Sequence, residues 1–496
     1  MRIVGNNPQL SRQTQATASG AITGGKPVIV NTDGTVTQIA ATSISQQFGS
    51  DVLFNGSNES SYITNVYDSN SNKVVTLYIN QDGSNDGTAN VGTIDTSDNS
   101  ISYGTAAEYT TNFGYYNSST FDSNSNRVVQ VYADNGNSNY GTAAVGTVSG
   151  TDISFGTPVV FESASIAHYT TTVFDTNSNK VVIIYPDGGN GSRGTAIVGT
   201  VSGTSISFGS AATFDTGSTA WLGATFDSNS NKVVISYRDG NNSYYGTAIV
   251  GTVSSTSISF GTAVVFNSAT TEKQSAAFDS NGNKVVLCYQ DQGNSNKGTA
   301  IVGTVSGTSI SFGSEAIFEE GETEEIAAVF DTSTNKIVVA FIDRDDNNGA
   351  GKVNVGTVSG TSISFGTAIT FESAYATNSG RGIALAYDVN ANRSVVSWKD
   401  SANSDRGTTA VYQAASTSTN LTASTSEAFI GFAEDTVATG QPVTVNTKGA
   451  IDENQSSLTP AQQYFVQIDG TLGTSADDPS VVAGTAVTAT KLIVKG

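Results

Sequence analysis

FDSNSNKVVISYRDGNNSYYGTAIVGTVSSTSISFGTAVVF, residues Phe226 to Phe266, is one copy of a phrase that recurs along the chain. Its anchoring aspartate, Asp227, has counterparts at Asp68, Asp122, Asp175, Asp279, Asp331 and Asp388, so successive copies lie 54, 53, 52, 52, 52 and 57 residues apart. Repetition at such a period marks stacked supersecondary units, and roughly 40–50 residues make a four-stranded blade. Turn signals cut each copy into four strands. In the fifth copy these are Ser275–Asp279 (a), Lys284–Tyr289 (b), Gly298–Val305 (c) and Ser309–Phe318 (d). Strand b is nearly all apolar, which predicts a strand covered on both faces. The a–b turn (DSNGN) and the c–d turn (SGTS) carry the Asn, Gly and Ser of tight hairpins. The reading is an all-β fold: a seven-bladed β-propeller of four-stranded antiparallel blades, with strand a lining a central channel.

The seventh copy is incomplete. After Asp388 come strand b (Arg393 to Trp398) and strand c (Gly407 to Gln413), but the expected TSISFGTAVVF never follows. A near copy stands at the other end of the chain, Thr42-Ser-Ile-Ser-Gln-Gln-Phe-Gly-Ser-Asp-Val-Leu-Phe54, with Gln46 and Gln47 inserted. This predicts that residues 42–55 complete blade seven as its outermost strand. Closure of this kind removes the exposed sheet edges that an open stack would leave. The propeller is then residues 42–416.

Residues 1–41 and 417–496 fall outside the repeat and share a phrase, Gly25-Lys-Pro-Val-Ile-Val-Asn31 and Gly440-Gln-Pro-Val-Thr-Val-Asn446. Both read as a strand and a turn: an N-terminal β segment and a small C-terminal β module for attachment or oligomerisation. The tail FIGFAEDTVATGQPVTVNTKGAIDENQSSLTPAQQYFVQIDGTLGTSADDPSVVAGTAVTATKLIVKG is similar to a C-terminal module of tailed-phage virion proteins, notably marine, cyanophage-like ones. SGAITGGKPVIVNTDGTVTQI resembles the matching head module. Together they cover about a quarter of the chain. The resemblance implies a virion appendage (tail fibre, tail-tip or capsid decoration) with other virion proteins and copies of itself as partners, and it brings no site residues with it.

Composition bounds the chemistry. The chain has 496 residues, a formal charge of −21, 52 Gly, 19 Tyr and 22 Phe, and only 22 Lys and Arg. Such a surface repels polyanions, so nucleic acid and anionic membranes are disfavoured partners. Residues 1–30 lack the apolar run of a secretory signal, which predicts synthesis in a cytoplasm without Sec export; residence on the virion, with that cytoplasm the host's, is what the resemblance implies. Cys288 is the single cysteine, so no intrachain disulfide forms.

Comparing copies separates two rims. The a–b turns barely change, whereas the b–c and d–a loops at the opposite rim vary freely, and variable loops on a rigid scaffold are where binding sits. That rim holds Tyr115, Tyr116, Tyr140, His168, Tyr169, Arg193, Trp221, Tyr244, Tyr245, Lys273, Arg344, Tyr375, Arg381 and Arg406. Aromatics beside Asn, Asp and Arg suit a host-surface glycan, which wants an apolar platform with polar partners. The competing reading has these tyrosines simply packing over the blade tops. Calcium is the metal to weigh in the DxNxN turns, but each has one carboxylate and lacks the bidentate Glu of an EF-hand loop. Turn capping explains these turns, and the second aspartate series Asp134, Asp187, Asp239, Asp291, Asp343 and Asp400, without a cofactor. No enzyme is expected: a histidine-based triad or zinc centre must use His168, the only histidine, and Cys288 lies in a buried-looking strand. A glycan-cleaving carboxylate pair is the alternative, with Glu315, Glu319, Glu320, Glu322, Glu324 and Glu325 the place to look. A purely structural decoration protein is the third reading.

Overall fold

The computed structural model describes residues 12–56, 58–81, 83, 85–166, 169–346, 349–373 and 382–495. Among them the structure is all-β, with only short 3-10 turns and no α-helix. The chain divides into two compact units, residues 46–414 and residues 1–45 with 415–496.

The larger unit repeats one antiparallel pairing pattern, strand a with b, b with c and c with d, along its described strands. In the fifth repeat strand b, Lys284–Asp291, is buried along its length between strands a and c, as the apolar run predicts. The outer strand d comes as two short pieces, Ser309–Phe312 and the first half of Ala316–Asp331, both paired to strand c. The second half of Ala316–Asp331 is strand a of the next repeat, paired to Lys336–Asp343. One long strand therefore crosses from the outside of one sheet to the inside of the next. The inner strands of consecutive repeats pack side by side, and Ile383–Asp388 of the seventh packs beside Glu59–Asp68 of the first.

The turns show why the phrase is so regular. Asp279 is buried, and its Oδ1 accepts from the backbone N–H groups of Asn281 and Gly282 at 2.9 Å each. The other anchoring aspartates cap their turns in the same way, as at Asp227 with Asn229 and Ser230. The last Asn of the turn, Asn231 or Asn283, takes a left-handed φ of 56° or 52°, which Asn tolerates better than most residues. Capping is thus the role the hydrogen bonds give these carboxylates. Gly298, at the start of strand c, lies under the Phe318 ring of strand d; a Cβ there would stand 2.4 Å from the ring.

The N-terminal segment serves the seventh repeat. Gln47–Phe48 and Val52–Leu53 pair with its strand c, Arg406–Gln413. Phe54 covers Gly407 as Phe318 covers Gly298, and Gly49 meets the Asn99 carbonyl of the first repeat as Gly313 meets that of Thr361. The expected start of this strand is corrected. Ala41–Ile44 pairs with Ser416–Thr419 in the smaller unit, and the ring strand begins after the inserted glutamines. Gln46 accepts from the Tyr412 hydroxyl at 2.9 Å and Gln47 donates to Gln413 at 3.1 Å, so the insertion anchors the point of entry.

In the smaller unit, head and tail are woven into one sheet. Its order is Gln13–Thr17, Pro442–Asn446, Phe429–Ala433, Pro27–Val30, Val36–Gln38. The two like phrases, Pro27–Val30 and Pro442–Asn446, flank the strand Phe429–Ala433, both antiparallel to it. A second sheet is built from Ile451–Asp452, Gln463–Val466, Leu472–Gly473, Val481–Thr488 and Lys491–Val494. Ile29, Phe429 and Phe432 share a core with Tyr464, Val466 and Leu492 of that sheet.

Candidate functional site

The site starts from a fault repeated in the inner strands. Pairing between strands a and b slips between Ser61 and Thr64, Tyr115 and Ser118, Ala220 and Gly223, Glu272 and Ser275, and Glu324 and Ala327. Each slip is a β-bulge, which re-aims a side chain. The bulged residue is left-handed: Tyr62 (φ 49°), Tyr116 (56°), Trp221 (51°), Lys273 (51°) and Glu325 (46°). Bulky residues rarely adopt that region, and each costs on the order of 1–3 kcal/mol there.

These side chains follow one another from inner strand to inner strand. The Tyr62 and Tyr116 rings lie 6.0 Å apart, and those of Tyr116 and Tyr169 5.6 Å. Tyr169 stacks on Trp221 at 4.4 Å and 27°. Lys273 Nζ sits 4.3 Å from the Trp221 ring centroid and 3.1 Å from Glu325 Oε1. Phe113 and Tyr115 back Tyr62, each 5.8 Å from it. Six half-buried aromatics thus form a crescent that ends in an ion pair. Below it a cavity of about 250 Å³ is lined by all seven inner strands, from Ile63–Asn65 to Ile383–Leu385. Its hydroxyls are largely spoken for, as where Ser119 donates to Thr64 and Ser118 bonds Thr172 across neighbouring repeats.

The structure thus brings together Tyr115, Tyr116, Tyr169, Trp221 and Lys273 of the expected rim. Tyr62 was not among the expected residues, and Glu325 was expected only as part of an acidic patch. Tyr140, Arg193, Tyr245 and Arg406 each open a strand c, spread around the rim outside the crescent. Arg344 pairs with Glu324. Tyr244 stands apart from the crescent, and 52 % of its surface is exposed. His168, Tyr375 and Arg381 lie outside the described residues.

The acidic run is partnered rather than bare. Glu315 accepts from the Tyr289 hydroxyl at 2.8 Å, Glu320 pairs with Lys297, Glu324 with Arg344 and Glu325 with Lys273. Glu319 is drawn toward its neutral form by burial, against the Gly321 N–H bond that favours the ion, with Asp343 adding to the rise. Asp215 is likewise raised, by burial and by Asp239 facing it. Cys288 is fully buried, and burial pushes its thiol up to about 12. The described residues hold no cluster of His, Cys, Asp and Glu arranged to bind a metal.

No family model matches the chain, and no curated protein matches it significantly. Solved structures do. The BP39L lectin from Burkholderia pseudomallei superposes with a TM-score of 0.52 at 12 % identity, over 69 % of this chain and 94 % of that one. The Aleuria aurantia lectin in complex with α-methyl-L-fucoside gives 0.41 at 13 % identity, over 63 % and 97 %. A Dyadobacter fermentans protein of unknown function gives 0.44 at 9 %, over 76 % and 99 %. The chain shares its all-β repeat fold with the first of these.

Proposed function

We propose that the larger unit is a seven-bladed β-propeller, closed by its N-terminal strand, that binds a glycan on its variable rim and catalyses no reaction. The crescent of Tyr62, Phe113, Tyr115, Tyr116, Tyr169 and Trp221 carries this reading. Five residues at the bulges are held in a disfavoured backbone conformation, and such strain concentrates at binding sites. Contiguous aromatic edges beside Lys273 and Glu325 match a sugar's mixture of apolar C–H faces and hydroxyls. The fold shared with a lectin agrees with it, and the ion-paired acidic run argues against a glycan-cleaving carboxylate pair there.

On the same reading the smaller unit attaches the protein to a phage particle as a tail fibre, tail tip or decoration protein. The similarity of residues 429–496 to phage virion modules motivates this assignment. Purified labelled protein binds intact host cells saturably, and added surface polysaccharide competes it away. Trp221→Ala and Tyr116→Ala each weaken the binding about tenfold or more. Absence of binding to any host would leave a decoration role. Normal incorporation into particles of a chain lacking residues 415–496 would remove the attachment role.

A further inference from the structure

The fourth repeat departs from its siblings at a second place on the same rim. The residue before strand c is left-handed in repeat after repeat: Asn85, Asn139, Ser192, Asn296 and Asp405, with φ between 58° and 60°. Small polar residues suit that conformation, whereas a bulky one there is an outlier. The fourth repeat has Tyr244, at φ 62°. Two charged residues from variable positions meet it. Arg238 stands near the end of strand b, where the neighbouring repeats carry Pro186 and Gln290. Glu272 lies near the start of the inner strand of the fifth repeat, just before its bulge. The Arg238 guanidinium lies 5.2 Å from the Tyr244 ring centroid and is ion-paired with Glu272. Their side chains stay 25 % and 19 % exposed, so both remain within a ligand's reach. Positions that follow the repeat serve the fold. A strained aromatic that leaves it, and meets an ion pair drawn from two other segments, serves something else.

We propose that Tyr244, Arg238 and Glu272 form a second saccharide subsite, selective for a neutral pyranose ring; this rests on the glycan-binding reading above. The C–H face of the sugar lies on the exposed tyrosine. Its hydroxyls accept from the free N–H groups of Arg238 and donate to the Glu272 carboxylate, the charge-assisted bonds that orient a polar ligand. Selectivity for a neutral ring follows from charge. Glu272 already balances Arg238, so a uronate has to compete with a carboxylate in place.

The test is binding of the full chain to immobilised neutral oligosaccharides and to their uronate counterparts. Wild type, Tyr244→Asn, Glu272→Gln and Tyr116→Ala are compared, with a thermal melt of each. Wild type binds neutral glycans. Tyr244→Asn loses about tenfold while melting no lower than wild type, because Asn is the residue of repeats one, two and five at this place. Glu272→Gln shifts preference toward uronates. Undiminished binding by Tyr244→Asn overturns the second subsite, and if Tyr116→Ala is impaired the rim reading survives it. A wild-type preference for uronates overturns the neutral class. Failure of wild type to bind any glycan removes the glycan reading and this inference together.

Discussion

The b–c loops of the fourth and fifth repeats, Asp239 to Tyr245 and Asp291 to Lys297, follow one backbone course with different side chains. In both, the opening aspartate caps the loop, accepting from Asn241 N–H and Gly293 N–H at 2.9 Å. Both end in two left-handed residues, Ser243-Tyr244 and Ser295-Asn296. Beside the fifth loop, Asn267 donates to Asp291 at 3.0 Å and to Thr271 at 3.1 Å. Beside the fourth, that place is Asp215, which brings a second carboxyl group against Asp239. The fifth loop is thus the relaxed version. The fourth keeps the template and accepts strain and a carboxylate pair while presenting an exposed tyrosine. The comparison teaches that the consensus maintains the scaffold, and that departures from it mark where the molecule is specialised.

The largest effects should come from breaking the scaffold. Phe54→Ala and Phe318→Ala each remove a buried ring from above a strand c glycine, and each should cost about 3–5 kcal/mol in urea denaturation. Near-equal losses would show that the strand entering from the N-terminus is as integral as one supplied within a repeat. A loss below about 1 kcal/mol at Phe54 alone would break that equivalence. Next comes the turn. Asp279→Ala strands two backbone N–H groups and should cost about 1–3 kcal/mol, and Asp227→Ala the same.

A smaller effect distinguishes the two loops directly. Asp215 has its pKa raised by burial and by Asp239, so its folded value exceeds its unfolded one. The fold therefore favours the protonated acid. The stability this gives is complete below the unfolded carboxyl value and is lost as pH rises through the folded value. Asp215→Asn should then stabilise the protein at pH 7 by up to about 1 kcal/mol, the site being only half-buried, and the gain should vanish in acid below about pH 4. The reverse exchange, Asn267→Asp, should destabilise at pH 7. Thermal melts across pH read both, and a pH-independent effect at Asp215 would remove the carboxylate-pair account. Smallest of all, Lys297→Ala at the end of the fifth loop should change stability by no more than about 1 kcal/mol, since Glu320, its ion-pair partner, is exposed.

Much of the scaffold is readable in the phrase itself. Period, turn chemistry and the missing outer strand identify the seven repeats and the origin of the seventh's last strand, because each repeat states its own hydrogen bonding in Asp, Asn and Gly. Other features leave no such mark. The crescent depends on bulges that shift register, and an alternation pattern read along Tyr62 or Glu325 carries no sign of where the slip falls. Trp221 and Tyr116 were recognisable as rim aromatics, but their contact across repeats with Tyr169 is a product of packing. Thr42 to Ile44 read as a blade strand because their sequence matches one, yet Ser416–Thr419 takes them as a partner in the smaller unit. The weave of Gln13–Thr17 with Pro442–Asn446 joins residues more than 400 positions apart, beyond the reach of any local pattern.

The division of labour between consensus and departure is tested most directly by amide hydrogen exchange, with and without a host surface polysaccharide that competes for cell binding. The account predicts new protection at the inner-strand starts 113–117 and 219–222 and in the loop 239–245. The a–b turns after Asp68, Asp122, Asp227 and Asp279 should stay unchanged. Protection confined to those conserved turns or to the smaller unit, with the rim unaffected, would contradict it.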